Sequence, residues 1–175
     1  MSQKTVQENP MRGIRVGKVV VNIGLGKSGE AIERGKKVLE QVTGQKPSQR
    51  RAKKSVRDFG IHEGEPIGVL VTARGAKTTE LITKLLAARD KKLPGSCFDA
   101  RGSVSFGIKE HIEIPGIRYD PAIGILGMNV SILLERPGYR VARRRRRTSS
   151  VGKNHFVSKE EAMEYFRKNF GVTVE

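Results

Sequence analysis

KVVVNIGLGKSGEAIERGKKVLEQV, Lys18 to Val42, is the stretch on which the fold turns. Val19, Val20, Val21 and Ile23 are β-branched and are interrupted only by Asn22, which predicts a strand. From Glu30 to Val42 the apolar residues Ile32, Val38, Leu39 and Val42 fall near one face of a helix, charged residues cover the other, and Gly44 supplies a stop. Between strand and helix, Gly24, Gly26 and Gly29 spell G-x-G-x-x-G. A dinucleotide site needs more: an acidic residue about 20 positions on, at the end of a second strand, to hold the ribose hydroxyls. That window reads GQKPSQ, with neither acid nor strand. A P-loop needs a glycine where Val21 stands. The glycines therefore read as a tight strand-to-helix turn, with Lys27 and the helix start free to meet an anionic group of a larger partner.

Charge points the same way. The 175 residues carry 34 Lys and Arg against 18 Asp and Glu, a formal net charge of +16. The excess is localised. KPSQRRAKKSVR, Lys46 to Arg57, and RPGYRVARRRRRTSSVGK, Arg136 to Lys153, are both free of acids and hold 14 of the 34 cations. Close like charges repel unless a partner neutralises them, so two such runs predict a polyanion partner. The arginine run lacks the interleaved large apolar residues of a membrane-surface helix, which leaves nucleic acid. No apolar run approaches the ~18–20 residues of a membrane span. A lone Cys97 excludes an intrachain disulfide, and with the polar start MSQKTVQENP the expectation is a cytosolic protein.

The rest of the chain alternates signals for strand and helix. After a loose tail, Met1 to Pro10, residues 11–175 read as one domain. The basic stretch Lys46 to Arg57 contains Pro47 and reads as a loop or irregular edge. Pro66 to Gly75 reads as a strand, Thr78 to Arg89 as a helix striped by Leu81, Ile82, Leu85 and Leu86, and Gly102 to Ile108 as an alternating strand. Glu110 to Ile114 reads as its continuation, Pro115 to Gly127 as a loop, and Met128 to Glu135 as a strand. The arginine run shows no period. Ser158 and Glu161 have capping-box spacing before a helix with Met163, Phe166 and Phe170 on one face and Gly171 at its end. Strands and helices do not alternate strictly. The predicted class is α+β: a mainly antiparallel sheet, helices packed on one face, basic loops extending from it.

Catalytic chemistry is thin. His62, His111 and His155 stand at no metal-ligand spacing, Cys97 has no neighbouring His or Cys, and the H-x-E of His111 and Glu113 lacks the P-C-x-x-C of a zinc deaminase. No cofactor is expected. Asn22 and Thr72 are polar residues inside apolar strands. Each is either hydrogen-bonded in the core or displayed on an open sheet face, and spacing does not choose. Aromatics are 5% of the chain; recognition by base stacking on the sheet is not expected, and backbone, shape and a few polar contacts would carry it.

KVVVNIGLGKS, TGQKPSQRRAKKSVRDFGIHEGEPIGVLVTARG, FDARGSVSFGIKEH and IEIPGIRYDPAIGILGMNV follow one another as they do in one family. The chain resembles, from Asn9 to Val172, the universal large-subunit ribosomal protein five, which binds 5S ribosomal RNA; its ending is similar to the archaeal and eukaryotic branch. The resemblance implies an α+β fold whose sheet face and adjoining loops bind 5S rRNA in the central protuberance. It implies rRNA contacts at Lys18, Asn22, Lys27, Gln45, Thr72 and Arg74. It implies that Lys46, Arg50, Arg51, Lys53, Lys54 and Arg57 lie on a loop reaching the P-site tRNA. It implies that the loop holding Pro115, Gly116, Ile117, Arg118, Tyr119 and Asp120 meets protein thirteen of the small-subunit head in an intersubunit bridge. Arg140 and Arg143, Arg144, Arg145, Arg146 and Arg147 exceed the family's arginine density; they are expected to bind RNA, with 5S rRNA, large-subunit rRNA and tRNA all open as partners. The rival readings are a general DNA or chromatin binder, resting on the arginines, and a nucleotide-dependent enzyme, resting on Gly24 to Gly29.

Overall fold

Alternation along each strand decides which face meets the core. In β1 (Arg15–Gly24), Val19, Val21 and Ile23 are buried, while Lys18, Val20 and Asn22 face the other way. The same division holds in β3 (Pro66–Ala73), where Val69, Val71 and Ala73 are buried, in β5 (Ser103–Ile108), where Val104, Phe106 and Ile108 are, and in β6 (Met128–Glu135), where Met128, Val130, Ile132 and Leu134 are. The structure, a computed structural model, describes residues 9–117 and 119–174. The expected tail lies outside these residues up to position 8, and Asn9 caps a short turn, Pro10–Arg12.

With β2 (Ser48–Arg51) at one edge, the five strands form one sheet in the order β2-β3-β1-β6-β5, every neighbour antiparallel. The buried residues stack in register across it: Ala73, Val19, Ile132 and Val104 in one row, Val71, Val21, Val130 and Phe106 in the next. Burying one complete face fixes the register, because a one-residue slip would turn that face to water.

Three helices share the core with that face. α1 (Glu30–Thr43) contributes Ile32, Val38, Leu39 and Val42, places Glu30 and Glu33 in its first turn where the helix dipole favours them, and ends on a left-handed Gly44. α2 (Lys77–Ala87) contributes Leu81, Ile82, Leu85 and Leu86. After the short α3 (Arg140–Arg143) comes α4 (Lys159–Phe170), opened by the capping box of Ser158 and Glu161. α4 buries Phe166 edge-to-face against Phe98, ring centroids 5.8 Å apart. A two-residue parallel pairing of β4 (Lys92–Leu93) with β7 (Thr173–Val174) ties the end of the chain to the segment after α2. The α+β expectation is met.

One element departs from expectation. Glu110 to Ile114 does not continue β5; His111–Glu113 forms a 3-10 turn. His111 and Ile114, three apart, are both buried, which a period-2 strand cannot do. Leu126 completes the arrangement: its carbonyl accepts from the His111 N–H at 3.0 Å, and its own N–H donates to His111 Nδ1 at 3.3 Å.

Candidate nucleic-acid interface

The helices cover one face of the sheet; the residues of the other are mostly small and polar. Register places Thr72, Val20, Ser131 and Ser105 in one row across β3, β1, β6 and β5, with the Ser105 hydroxyl donating to Ser131 at 3.1 Å. The next row is Ser48, Leu70, Asn22, Asn129 and Gly107. The question left by the sequence is thereby answered: Asn22 and Thr72 stand on the open face, and among the described residues neither side chain is held by a hydrogen bond. Lys18 lies on the same face, opposite Leu133. Ser105, Asn129 and Ser131 complete the polar surface. The sequence reading missed them, although the alternation of Met128 to Glu135 marks Asn129 and Ser131 as the outward positions.

The remaining rRNA candidates lie around the rim. Arg74 is exposed one residue past β3, beside the row that begins with Lys18. Gln45 is half-buried three residues before β2, on the side where β3 runs on to Thr72. Lys27 is exposed at the opposite end of β1, so the six candidates spread along the whole strand.

The basic stretch Lys46 to Arg57 splits in two. Arg50 pairs with Gly68, and a register shift sets Arg51 opposite Pro66, so both arginines lie opposite open-face positions. Beyond them the chain forms a long hairpin closed by Ala52, whose N–H donates to Glu65 O at 2.8 Å, and by the bridge of Val56 with Ile61. Lys53, Lys54 and Arg57 are exposed on this hairpin. Its tip turns through Arg57–Phe59 and a left-handed Gly60, and presents Phe59 at 76% exposure. Asp58 stands beside it and Arg57 two residues before it; a bare aromatic face of this kind suits the stacking of a planar ring, and no periodicity marks it in the sequence.

The glycine motif is occupied by its own fold. Gly26 and Gly29 adopt positive φ, as the tight turn demands. The N–H groups of Leu25 and Gly26 both donate to Ile67 O at 3.0 Å, and the Ser28 hydroxyl donates to the Glu65 carboxylate. Two amides and a hydroxyl of the motif are thus bonded within the fold, the hydroxyl to an anion. The Ser28 hydroxyl, seconded by the His62 N–H, holds the Glu65 carboxyl below its ordinary value. Moreover, both neighbours of β1 are antiparallel, whereas a dinucleotide fold places parallel strands there.

The arginine run is more ordered than its lack of period suggests. Arg143 lies on α3 and pairs with the buried Glu135, which also takes Arg15 at 3.2 Å. Arg140 and Arg144 to Arg147 are exposed. Because Glu135 faces Arg15 and Gly24 faces Gly68, this run and the basic hairpin leave opposite ends of β1, roughly 30 Å apart at ~3.3 Å per residue.

In the loop Pro115 to Gly127, Arg118 lies outside the described residues. Ile123 is buried, Ile117 is half-buried, and Tyr119 and Ile125 are exposed at 54% and 56%. Pro115 and Gly116 are exposed and Asp120 caps a turn by accepting from the Ala122 N–H at 3.0 Å.

Comparison with known proteins carries the assignment. Two family models match in succession, ribosomal protein L5 over residues 9–62 and the C-terminus of the same ribosomal family over residues 66–165. The chain is 51% identical to the large ribosomal subunit protein uL5 of Nitrosopumilus maritimus over 174 residues, 99% of either chain. It is 52% identical to the protein of the same name from Sulfurisphaera tokodaii over 172 residues, 98% of this chain and 97% of that one. The uL5 of Pyrobaculum aerophilum is also 52% identical, over 97% of this chain and 95% of its own. These are ribosomal structural proteins rather than enzymes. A sheet with one polar face, a glycine turn bonded to β3 through its Leu25 and Gly26 amides, and full-length identity of about half thus converge: the chain belongs to the ribosomal protein L5 family of the large ribosomal subunit.

Proposed function

We propose that the open face of the sheet binds 5S rRNA and that the protein thereby helps to attach 5S rRNA in the central protuberance of the large subunit. The observation that carries this reading is the surface itself. Thr72, Asn22, Asn129, Ser131 and Ser105 offer hydrogen-bonding groups with little steric bulk, so an RNA backbone or groove edge can approach closely. Lys18, Arg50, Arg51 and Arg74 surround it with cations that contribute the salt-dependent part of affinity.

The hairpin beyond Arg51 serves a different partner. Lys53, Lys54, Arg57 and Phe59 project past the end of the sheet, where they contact the P-site tRNA in the assembled ribosome. The loop from Pro115 to Gly127 serves a third, protein thirteen of the small-subunit head. Its exposed Tyr119 and Ile125, above a base fixed by His111 and Leu126, favour a protein over a nucleic-acid contact there.

The test is filter binding of the full-length protein to 5S rRNA against duplex DNA of equal length at matched salt. Strong preference for 5S rRNA supports the reading; equal affinity for DNA would replace it with a general nucleic-acid binder.

A further inference from the structure

Glu135 is an anion placed at the root of the most basic segment of the chain. It is buried at the last position of β6, and one oxygen accepts from Arg15 Nη2 at 3.2 Å while the other accepts from Arg143 Nη2. Space for it is made by Gly17. The β1–β6 register slips between Val16 and Lys18, and a Cβ on Gly17 would sit 2.6 Å from Glu135 Cδ.

The segment that follows is closed on itself. The His155 ring bonds Pro137 O at 2.7 Å, and the Tyr139 hydroxyl donates to His155 O at 3.2 Å. Arg136 donates to Glu161, the capping-box residue of α4, at 2.6 Å. Within the loop, Arg144 Nε donates to Arg147 O at 2.7 Å and Ser149 N to Val141 O at 3.2 Å. Arg136 and Arg143 are therefore committed to acids. Arg140, Arg145, Arg146 and Arg147 are exposed and have no acidic partner among the described residues. Five consecutive arginines, Arg143 to Arg147, repel one another. Among the described residues, the carboxylate that holds this run to the sheet is that of Glu135, which is itself buried while the Arg143 side chain is 54% exposed.

We infer that Glu135 is a positioning residue: by holding Arg143 against the sheet, it presents Arg140 and Arg145 to Arg147 as a preformed surface for RNA phosphates. Preorganisation of this kind strengthens binding by removing the ordering cost, without adding a contact. The inference rests on the reading that the arginine segment meets ribosomal RNA.

The test uses the full-length protein, with 5S rRNA in one arm and large-subunit rRNA freed of 5S in the other, over a salt series. The double variant Arg145→Gln, Arg146→Gln identifies the partner, because two lost phosphate contacts flatten the log affinity–log salt slope by about 1.4–1.8. On that RNA, Glu135→Gln decides the inference. Counting charge alone, loss of an acid tightens RNA binding. Positioning predicts the opposite: about tenfold weaker binding, faster trypsin cleavage after Arg143 to Arg147, and a slope close to that of the parent. Arg143→Gln, which leaves Glu135 paired with Arg15, is expected to weaken binding with a slope close to that of the parent and to speed trypsin cleavage after Arg144 to Arg147; it replaces Glu135→Gln should circular dichroism show that variant unfolded, and a slope flattened by about 0.7–0.9 instead, with cleavage unchanged, would make Arg143 a plain phosphate contact and overturn the positioning role. Equal or tighter binding by the folded Glu135→Gln, with the arginine double variant weakened, overturns the positioning role and leaves the RNA reading standing. An arginine double variant unchanged on both RNAs overturns the reading and the inference with it.

Discussion

Asn22 of β1 stands directly opposite Asn129 of β6 on the face of the sheet away from the helices, and Val21 beside it stands opposite Val130 within the core. Adjacent residues of one strand thus have separable duties. Asn22→Ala, and likewise Thr72→Val, is expected to leave thermal stability nearly unchanged and to weaken 5S rRNA binding by the worth of one hydrogen bond, about 0.5–1.5 kcal/mol. Val21→Ala does the reverse, losing on the order of 2 kcal/mol of stability with unchanged RNA affinity per folded molecule. Melting curves paired with filter binding separate the two; a stability loss for Asn22→Ala equal to that for Val21→Ala would return Asn22 to the core.

The glycine turn makes a negative prediction. With the Gly26 amide donating to Ile67 O and Ser28 to Glu65, titration calorimetry with NAD, ATP or GTP is expected to give no saturable heat. A micromolar site abolished by Gly26→Asp in a folded protein would contradict the reading.

Division of the basic stretch gives a third. Arg50→Gln with Arg51→Gln is expected to flatten the 5S salt slope by up to about 1.4–1.8, one increment per phosphate. Lys53→Gln, Lys54→Gln and Phe59→Ala, on the hairpin beyond the sheet, leave that slope unchanged and weaken tRNA retention by reconstituted ribosomes. Folding survives, since Phe59 is 76% exposed.

Acid is expected to loosen the hairpin locally. Ser28 and His62 bond the ionised form of Glu65 and depress its pKa. A depressed folded-state value means that the stabilisation is complete above the ordinary glutamate range and is lost as pH falls through the depressed value. The protection factor of the His62 amide, measured by NMR against its intrinsic exchange rate at each pH, should fall over that acid interval in the parent and stay constant with pH in Glu65→Gln.

Strands β1, β3, β5 and β6 and helices α1, α2 and α4 are legible in the sequence because each buries one face and carries the matching period. Where pairing depends on distant residues, period fails. β4 and β7 are two residues long and show none. His111–Glu113 mimics alternation, but its buried His111 is fixed by Leu126, fifteen positions on. The site follows the same rule. Asn22 is visible as a polar break in an apolar run, but its choice between core and open face is made by the antiparallel neighbours of β1. Arg143 looks like its four neighbours, and only the folded chain brings it to Glu135.

The central claim is that the polar face, and not the helical side, receives 5S rRNA. It is tested most directly by placing the same charge on each side. Ser131→Glu puts an acid at the centre of the open face; Thr83→Glu puts one on the exposed surface of α2. Both change the net charge equally. In filter binding to 5S rRNA at one salt concentration, Ser131→Glu is expected to lose about tenfold or more, roughly 1.4 kcal/mol, and Thr83→Glu to stay near the parent. Equal losses from the two folded variants would contradict the account.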